Sequence, residues 1–144
     1  MCVFRIRCVW SNSATMKWKV IRLELASNWE FPKGSAGRSY LIRLPLTDDG
    51  AIDSQALEIH PARATVRRYW PNQADMVGYL LPTLAGYAIR YETNGYNPNA
   101  GPNAGGNPDQ ILFRPGADVI SVGDEIFLTE PDGKEARFRI ADIQ

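Results

Sequence analysis

The stretch EIFLTEPDGKEARFRI, residues 125–140, decides the fold class, because its apolar pattern and its turn residues both indicate a β-hairpin. Proline at position 131 presets the first turn torsion, and Gly133 suits the positive φ that closes such a turn. The register that this turn imposes pairs apolar residues with each other and opposite charges with each other. The expected pairs are Ile126 with Phe138, Leu128 with Ala136, and Glu125 with Arg139.

Upstream of this hairpin, short segments of alternating apolar residues predict further strands at 17–26, 40–46 and 64–70. In the first of these segments the alternation changes phase near Ile21, as at a β-bulge or in a strand with apolar residues on both faces. A second hairpin is expected around Gly86, which suits the left-handed position of a three-residue loop. That loop would place Leu81 opposite Ile89 and Tyr79 opposite Tyr91.

One short helix interrupts the strands. Asp53 is a typical N-cap, and the helix would run through Leu57 and Ile59 until Pro61 ends it. Because no helix separates successive strands often enough for a parallel α/β sheet, we expect a mainly β fold. The specific prediction is a small antiparallel β-barrel or a strongly curved sheet with one short helix.

The 144 residues are enough for a single domain, which we place at residues 16–144. Residues 1–15 are predicted to be a disordered or start-site extension, and a first strand from Val3 to Trp10 is the alternative. Residues 93–110 are rich in Asn, Gly and Pro, so a flexible loop is expected there. The alternative for this loop is a functional lid.

Charge and cysteine content exclude several classes of function. Sixteen basic and sixteen acidic side chains cancel, which argues against a general binder of nucleic acid or of acidic membranes. Cys2, Cys8 and the lone His60 cannot supply a four-ligand zinc site, so we expect neither metal nor cofactor. Arginines at positions 5 and 7 interrupt the apolar N-terminus, so no secretory signal is predicted and a cytoplasmic location is expected.

Charge is also uneven along the chain. Residues 1–90 hold 12 basic and 7 acidic side chains, a net of +5, whereas residues 91–144 hold 4 and 9, a net of −5. Folding can cancel this asymmetry in space. If it does not, complementary faces would favour self-association or an acidic partner.

Several segments together resemble a family of short, uncharacterised bacterial proteins: Lys17–Leu25, Phe31–Ser35, Ala64–Pro71 and the Gly123–Gly133 part of the C-terminal hairpin. The resemblance covers roughly Met16 to Ile143, and the Asn/Gly/Pro loop stands as an insertion relative to it. It implies a bacterial cytoplasmic protein that starts at Met16. It implies no activity and no catalytic residue.

The segment HPARATVRRYW, residues 60–70, is the strongest candidate for a functional surface. In a strand, one face would present Arg63, Thr65, Arg67 and Tyr69, and the other face Ala64, Val66, Arg68 and Trp70. Arginines beside an aromatic ring can hold an anion by forked hydrogen bonds and can stack on rings or bases. The alternative is that Val66 and Trp70 enter the core and the arginines form an ordinary solvated face.

Two other patterns suggest chemistry less clearly. His60 could act as a general base with Ser54 or Glu58, although no nucleophile motif surrounds it, and it also suits the end of the short helix. The glycine-rich segment 33–39 lacks both the spacing and the following helix of a phosphate loop.

The sequence therefore predicts a non-enzymatic binding module that uses an Arg/aromatic strand face, with Arg63, Arg67, Tyr69 and His60 as binding residues. The expected partner is a protein or a small anionic ligand; nucleic acid is not favoured, a second copy of the chain stays open, and a membrane is not expected. The rival hypothesis is a small hydrolase or transferase that uses His60 with a nearby carboxylate.

Overall fold

Eight antiparallel strands form one sheet in this computed structural model, which describes residues 16–83, 86–100, 110–113 and 119–144. The strands are β1 (Lys17–Leu25), β2 (Ser35–Leu46), β3 (Thr65–Tyr69), β4 (Met76–Thr83), β5 (Gly86–Tyr91), β6 (Gln110–Phe113), β7 (Glu125–Thr129) and β8 (Glu135–Ile143). Their order across the sheet is β6-β5-β4-β3-β2-β1-β8-β7, and the sheet curls into a half-barrel. The prediction of a strongly curved, mainly β fold is confirmed. The expectations for residues 1–15 and 101–109 lie outside the described residues.

Irregularities in β1 help the sheet to curl. Pairing of β1 with β8 shifts register between Arg22 and Leu23, and its pairing with β2 shifts between Glu24 and Leu25. Such bulges bend a strand and increase its twist. The apolar pattern does change face near Ile21: Ile21 and the residues that alternate with it are buried in the core, whereas Val20 on the other side is 37% exposed.

The C-terminal hairpin forms in the register that its turn predicted. Ile126 pairs with Phe138, Leu128 with Ala136, and Glu125 with Arg139. Gly133 has a φ of 88°, the left-handed conformation that glycine adopts without a Cβ clash.

The hairpin between β4 and β5 forms, but its predicted register is wrong by one residue. Thr83 pairs with Gly86, so Leu80 lies opposite Ile89 and Tyr79 lies opposite Arg90. This register keeps Leu80 and Ile89 in the core. It also places Gly78 opposite Tyr91, where a Cβ on Gly78 would lie only 2.9 Å from Cδ1 of the tyrosine ring. Core packing, rather than loop preference, therefore sets this register.

The one α-helix of the described residues, α1 (Ser54–Ile59), begins as predicted. Asp53 caps it by accepting a hydrogen bond from the Ala56 amide at 3.1 Å, and His60 is the C-cap residue. Pro61–Arg63 then form a single 3₁₀ turn that leads into β3. Among the described residues, no helix is long and apolar enough to cross a lipid bilayer.

A buried ion pair ties β3 to the turn of the C-terminal hairpin. Arg68 and Glu130 are 5% and 6% exposed, and Nη2 of Arg68 donates to Oε1 of Glu130 at 2.8 Å. The same guanidinium donates to the Tyr40 hydroxyl at 3.2 Å and to Gln73 at 3.0 Å, and Tyr40 donates to Glu130. Burial alone would lower the pKa of Arg68, but the hydrogen bond and charge of Glu130, together with Tyr40, outweigh burial and raise it.

The start of the Asn/Gly/Pro loop packs against the sheet, which its composition did not indicate. Tyr96 is only 8% exposed, and its ring lies 5.9 Å from the ring of Tyr79. Short 3₁₀ turns at Glu92–Asn94 and Pro98–Ala100 flank it. Loop residues 92–100 thus include a buried anchor.

Candidate binding surface

The outer face of the sheet, which we define as the side that points away from the core, carries the residues predicted to bind. Residue pairing places Arg22, Leu41, Arg67 and Val77 in one row across β1, β2, β3 and β4. The next row holds Val20 beside Arg43, and Thr65 beside Tyr79. Basic and apolar side chains therefore alternate across four neighbouring strands.

A shallow depression of about 350 Å³ lies in the middle of this face. The two arginines Arg43 and Arg67 line it together with Tyr69 and the apolar side chains of Val20, Leu41 and Val77. Both arginines are exposed, whereas Tyr69 is half-buried. We call this site the outer-face depression.

No carboxylate of the described residues forms an ion pair with Arg43 or Arg67. The described residues form four ion pairs, which are Arg22 with Glu24, Arg68 with Glu130, Arg137 with Glu125, and Arg139 with Glu24. An exposed guanidinium group that has no carboxylate partner can bind an external anion by donating forked hydrogen bonds to it. Within the described chain, the charge at this depression is thus not compensated by folding.

Two of the predicted binding residues, Arg67 and Tyr69, line the outer-face depression. Both belong to β3, and their partners across β2 are Leu41 and Ser39. The faces of β3 alternate as predicted, with Thr65 and Arg67 exposed and Val66 buried on the opposite face. Arg68 is also buried, so the alternative in which the arginines form a solvated face is wrong for this residue. Trp70 packs inward, with its ring 4.0 Å from the Arg68 guanidinium and 6.3 Å from the Phe138 ring.

The other two predicted binding residues, Arg63 and His60, precede the first residue of β3 and do not line the depression. Arg63 belongs to the 3₁₀ turn, and its guanidinium carbon lies 4.7 Å from the Trp18 ring centre. The imidazole of His60 is exposed, with its ring centre 6.5 Å from that of Trp18. The arginine that lines the depression with Arg67 is therefore Arg43.

Sequence reasoning missed Arg43 because its position depends on strand pairing. Arg43 stands between the core residues Ile42 and Leu44, so alternation alone assigns it to the outer face. What the sequence does not supply is the register that places β2 beside β3. In that register Leu41 pairs with Arg67, which makes Arg43 and Arg67 diagonal neighbours.

The groups required by the enzyme hypothesis are not assembled around His60 in the described residues. The hydroxyl of Ser54 is 2.7 Å from that of Tyr87, and the His60 imidazole makes no hydrogen bond there. Glu58 lines a separate pocket of about 470 Å³, together with Leu81 and Tyr96. Neither this pocket nor the outer-face depression is lined by His60.

The glycine-rich segment 33–39 begins a strand instead of a helix. Gly34 has a φ of 73°, and β2 starts at the next residue. Arg38 is used locally, with its guanidinium carbon 4.1 Å from the centre of the Phe31 ring. No group of three or more His, Cys, Asp or Glu side chains that could hold a metal ion lies in the part of the chain that the structure describes.

The chain matches none of the protein-family models, curated proteins or solved structures with which it was compared. No residue role is therefore transferred from a relative, and the outer-face depression itself is the basis for assigning a function.

Proposed function

We propose that this chain is a small non-enzymatic binding module whose outer face recognises an anionic partner. The observation that supports this proposal is the outer-face depression, in which Arg43 and Arg67 are exposed and lack a carboxylate partner among the described residues. In this proposal the two arginines hold the anion. Tyr69 flanks them, and Arg63 and His60 extend the surface toward Trp18.

Physical chemistry favours an external anion over a purely solvated face. Exposed ion pairs contribute little to stability, so an arginine is common at a protein surface with or without a partner. A single exposed arginine is therefore no evidence of a binding site. Here, however, two exposed arginines share a depression with the apolar side chains of Val20, Leu41 and Val77. Binding sites combine an apolar lining with a few polar groups that orient the ligand, and this depression has both features.

The biological setting is part of the proposal. The resemblance to short bacterial proteins and the cytoplasmic location belong to it, as does a small anionic ligand or a protein as partner. No contact among the described residues favours the hydrolase or transferase alternative at His60.

A titration followed by amide NMR tests the proposal. Phosphate, citrate, phenyl phosphate, benzoate and a glutamate-rich peptide are added at low ionic strength to the wild-type protein. At least one anion should shift the amides of Leu41, Thr65 and Val77, and added salt should weaken its binding.

The double variant R43A/R67A should bind that anion at least about tenfold more weakly, because hydrogen bonds to charged groups contribute about 1.5–3 kcal/mol each. The matched control K33A/K134A also removes two positive charges, from exposed positions outside the depression. Equal loss of binding in the two variants would contradict the proposal. So would an absence of amide shifts with every anion.

A further inference from the structure

Resting on the proposed function, we infer that the outer-face depression takes a phosphate monoester dianion attached to a ring. Three features of the depression support this inference: the number and placement of the arginines, the hydroxyl between them, and the apolar surface beside them.

The two arginines match a dianion better than a carboxylate. Because Arg67 pairs with Leu41, Arg43 is its diagonal neighbour, and diagonal positions on adjacent strands lie about 7–8 Å apart. Long arginine side chains from such positions can meet at one anion. A carboxylate has two oxygens, which a single guanidinium fork already occupies, whereas a phosphate monoester offers three terminal oxygens and nearly two charges at pH 7.

A hydroxyl donor completes the polar half of the site. Thr65 is exposed, lines the depression, and stands two residues before Arg67 on the same face of β3. Its hydroxyl can donate a hydrogen bond to a third phosphate oxygen. A carboxylate, with only two oxygens, would leave part of this donor set unused.

The apolar half of the site indicates what the phosphate is attached to. Val20 is 37% exposed in the middle of a regular strand pair, and Leu41 and Val77, which line the same depression, are half-buried. Covering such apolar surface stabilises a complex. The volume of about 350 Å³ is at the small end of ligand sites, so it suits a phosphate with one ring and not a polymer.

Three small probes separate the charge of the ligand from its ring. Phenyl phosphate carries both features, phenyl sulfate has the ring with a single charge, and methyl phosphate has the double charge without the ring. Calorimetric or NMR titration should show phenyl phosphate binding at least about tenfold more tightly than either of the others, since phenyl sulfate lacks the second negative charge and methyl phosphate lacks the ring contacts. Its affinity should also fall below about pH 6, where the phosphate takes up a proton.

Variants assign each preference to its residues. R43A and R67A should each lose the preference for phenyl phosphate over phenyl sulfate, while K33A retains it. V20T should reduce the advantage of phenyl phosphate over methyl phosphate, because it makes the exposed apolar position polar. A nucleoside monophosphate and a phosphotyrosine peptide then distinguish a free metabolite from a modified protein as the source of the group.

The outcomes separate this inference from the proposed function. If phenyl sulfate or benzoate binds as tightly as phenyl phosphate, the dianion inference is overturned while anion binding stands. If methyl phosphate binds as tightly as phenyl phosphate, the inference that the ligand carries a ring is overturned. If no phosphate binds but the glutamate-rich peptide does, the depression binds an acidic protein. The phosphate inference is then overturned, while the proposed function stands. If no anion binds, both the phosphate-monoester inference and the proposed anion-binding function are overturned.

Discussion

Arg67 and Arg68 are adjacent in β3, yet they lie in opposite environments. Arg68 points into the half-barrel, is 5% exposed, and bonds to Glu130, Tyr40 and Gln73. Arg67 points outward, is exposed, and has no carboxylate partner among the described residues. The same residue type thus belongs to the architecture on one face and is available to a ligand on the other.

Burial makes the difference between the two arginines. Removing a charge from water costs several kcal/mol, and a protein tolerates this only where partners satisfy the charge. Arg68 has such partners, one of them a carboxylate from the distant hairpin turn. A solvated arginine such as Arg67 requires no partner within the protein, so its contacts contribute little to stability. The side chains around it are more informative about what it binds.

The largest effect that tests this comparison is loss of the buried pair. Either R68A or E130A should lower the free energy of unfolding by about 3–5 kcal/mol, because each leaves an uncompensated charge in the core. In contrast, R67A should change it by less than about 0.5 kcal/mol, as exposed substitutions usually do. Urea unfolding of the three variants measures the difference.

A double variant sharpens the same test. Replacing both partners, R68M with E130L, should cost less than either alanine variant, because no charge is then left buried alone. If R67A proves as destabilising as R68A, the assignment of the two faces is wrong.

Local signals in the sequence were sufficient for part of this structure. Turn residues and apolar alternation determined the register of the C-terminal hairpin, and the same alternation placed Arg67 and Arg68 on opposite faces. Contacts between distant residues were not accessible. Glu130 lies 62 positions from Arg68, and the approach of Arg43 to Arg67 depends on how β2 pairs with β3.

The missed hairpin register has the same origin. Loop preference around Gly86 indicates three residues, but the observed pairing places Gly78 opposite Tyr91 and brings Leu80 and Ile89 together in the core. Strand alternation predicts Arg63 on the same face as Arg67, but a local 3₁₀ turn, Pro61–Arg63, places Arg63 ahead of the strand. Tertiary packing therefore overrides the local preference in the hairpin, whereas a local turn decides the position of Arg63.

The second effect concerns Tyr96, which covers one end of the outer face. Y96A should lower the free energy of unfolding by about 3 kcal/mol, the lower end of the range for a core aromatic residue, because the ring is 8% exposed and packs on Tyr79. By contrast, replacing residues 101–107 with a Gly-Ser linker of equal length should be tolerated, since their composition offers little to bury. Thermal unfolding of both variants measures this; equal losses would mean that the loop packs along its whole length.

The smallest effect is an alkaline one at Tyr79, where the covered end of the outer face behaves partly like the inner face. Burial, followed by the hydrogen bond to Glu92 at 2.9 Å, raises the pKa of Tyr79 above its ordinary value of 10.0. The folded state therefore holds this proton more tightly than the unfolded state, so the contribution to stability is complete below pH 10 and is lost as pH rises through the higher folded pKa. Y79F should flatten this alkaline loss, and E92Q should bring the tyrosine titration, followed by phenolate absorbance, closer to its ordinary range. If Y79F leaves the pH profile of unfolding between about pH 9 and 12 unchanged, Tyr79 is solvated like Arg67 and the covered end of the outer face does not differ from the rest.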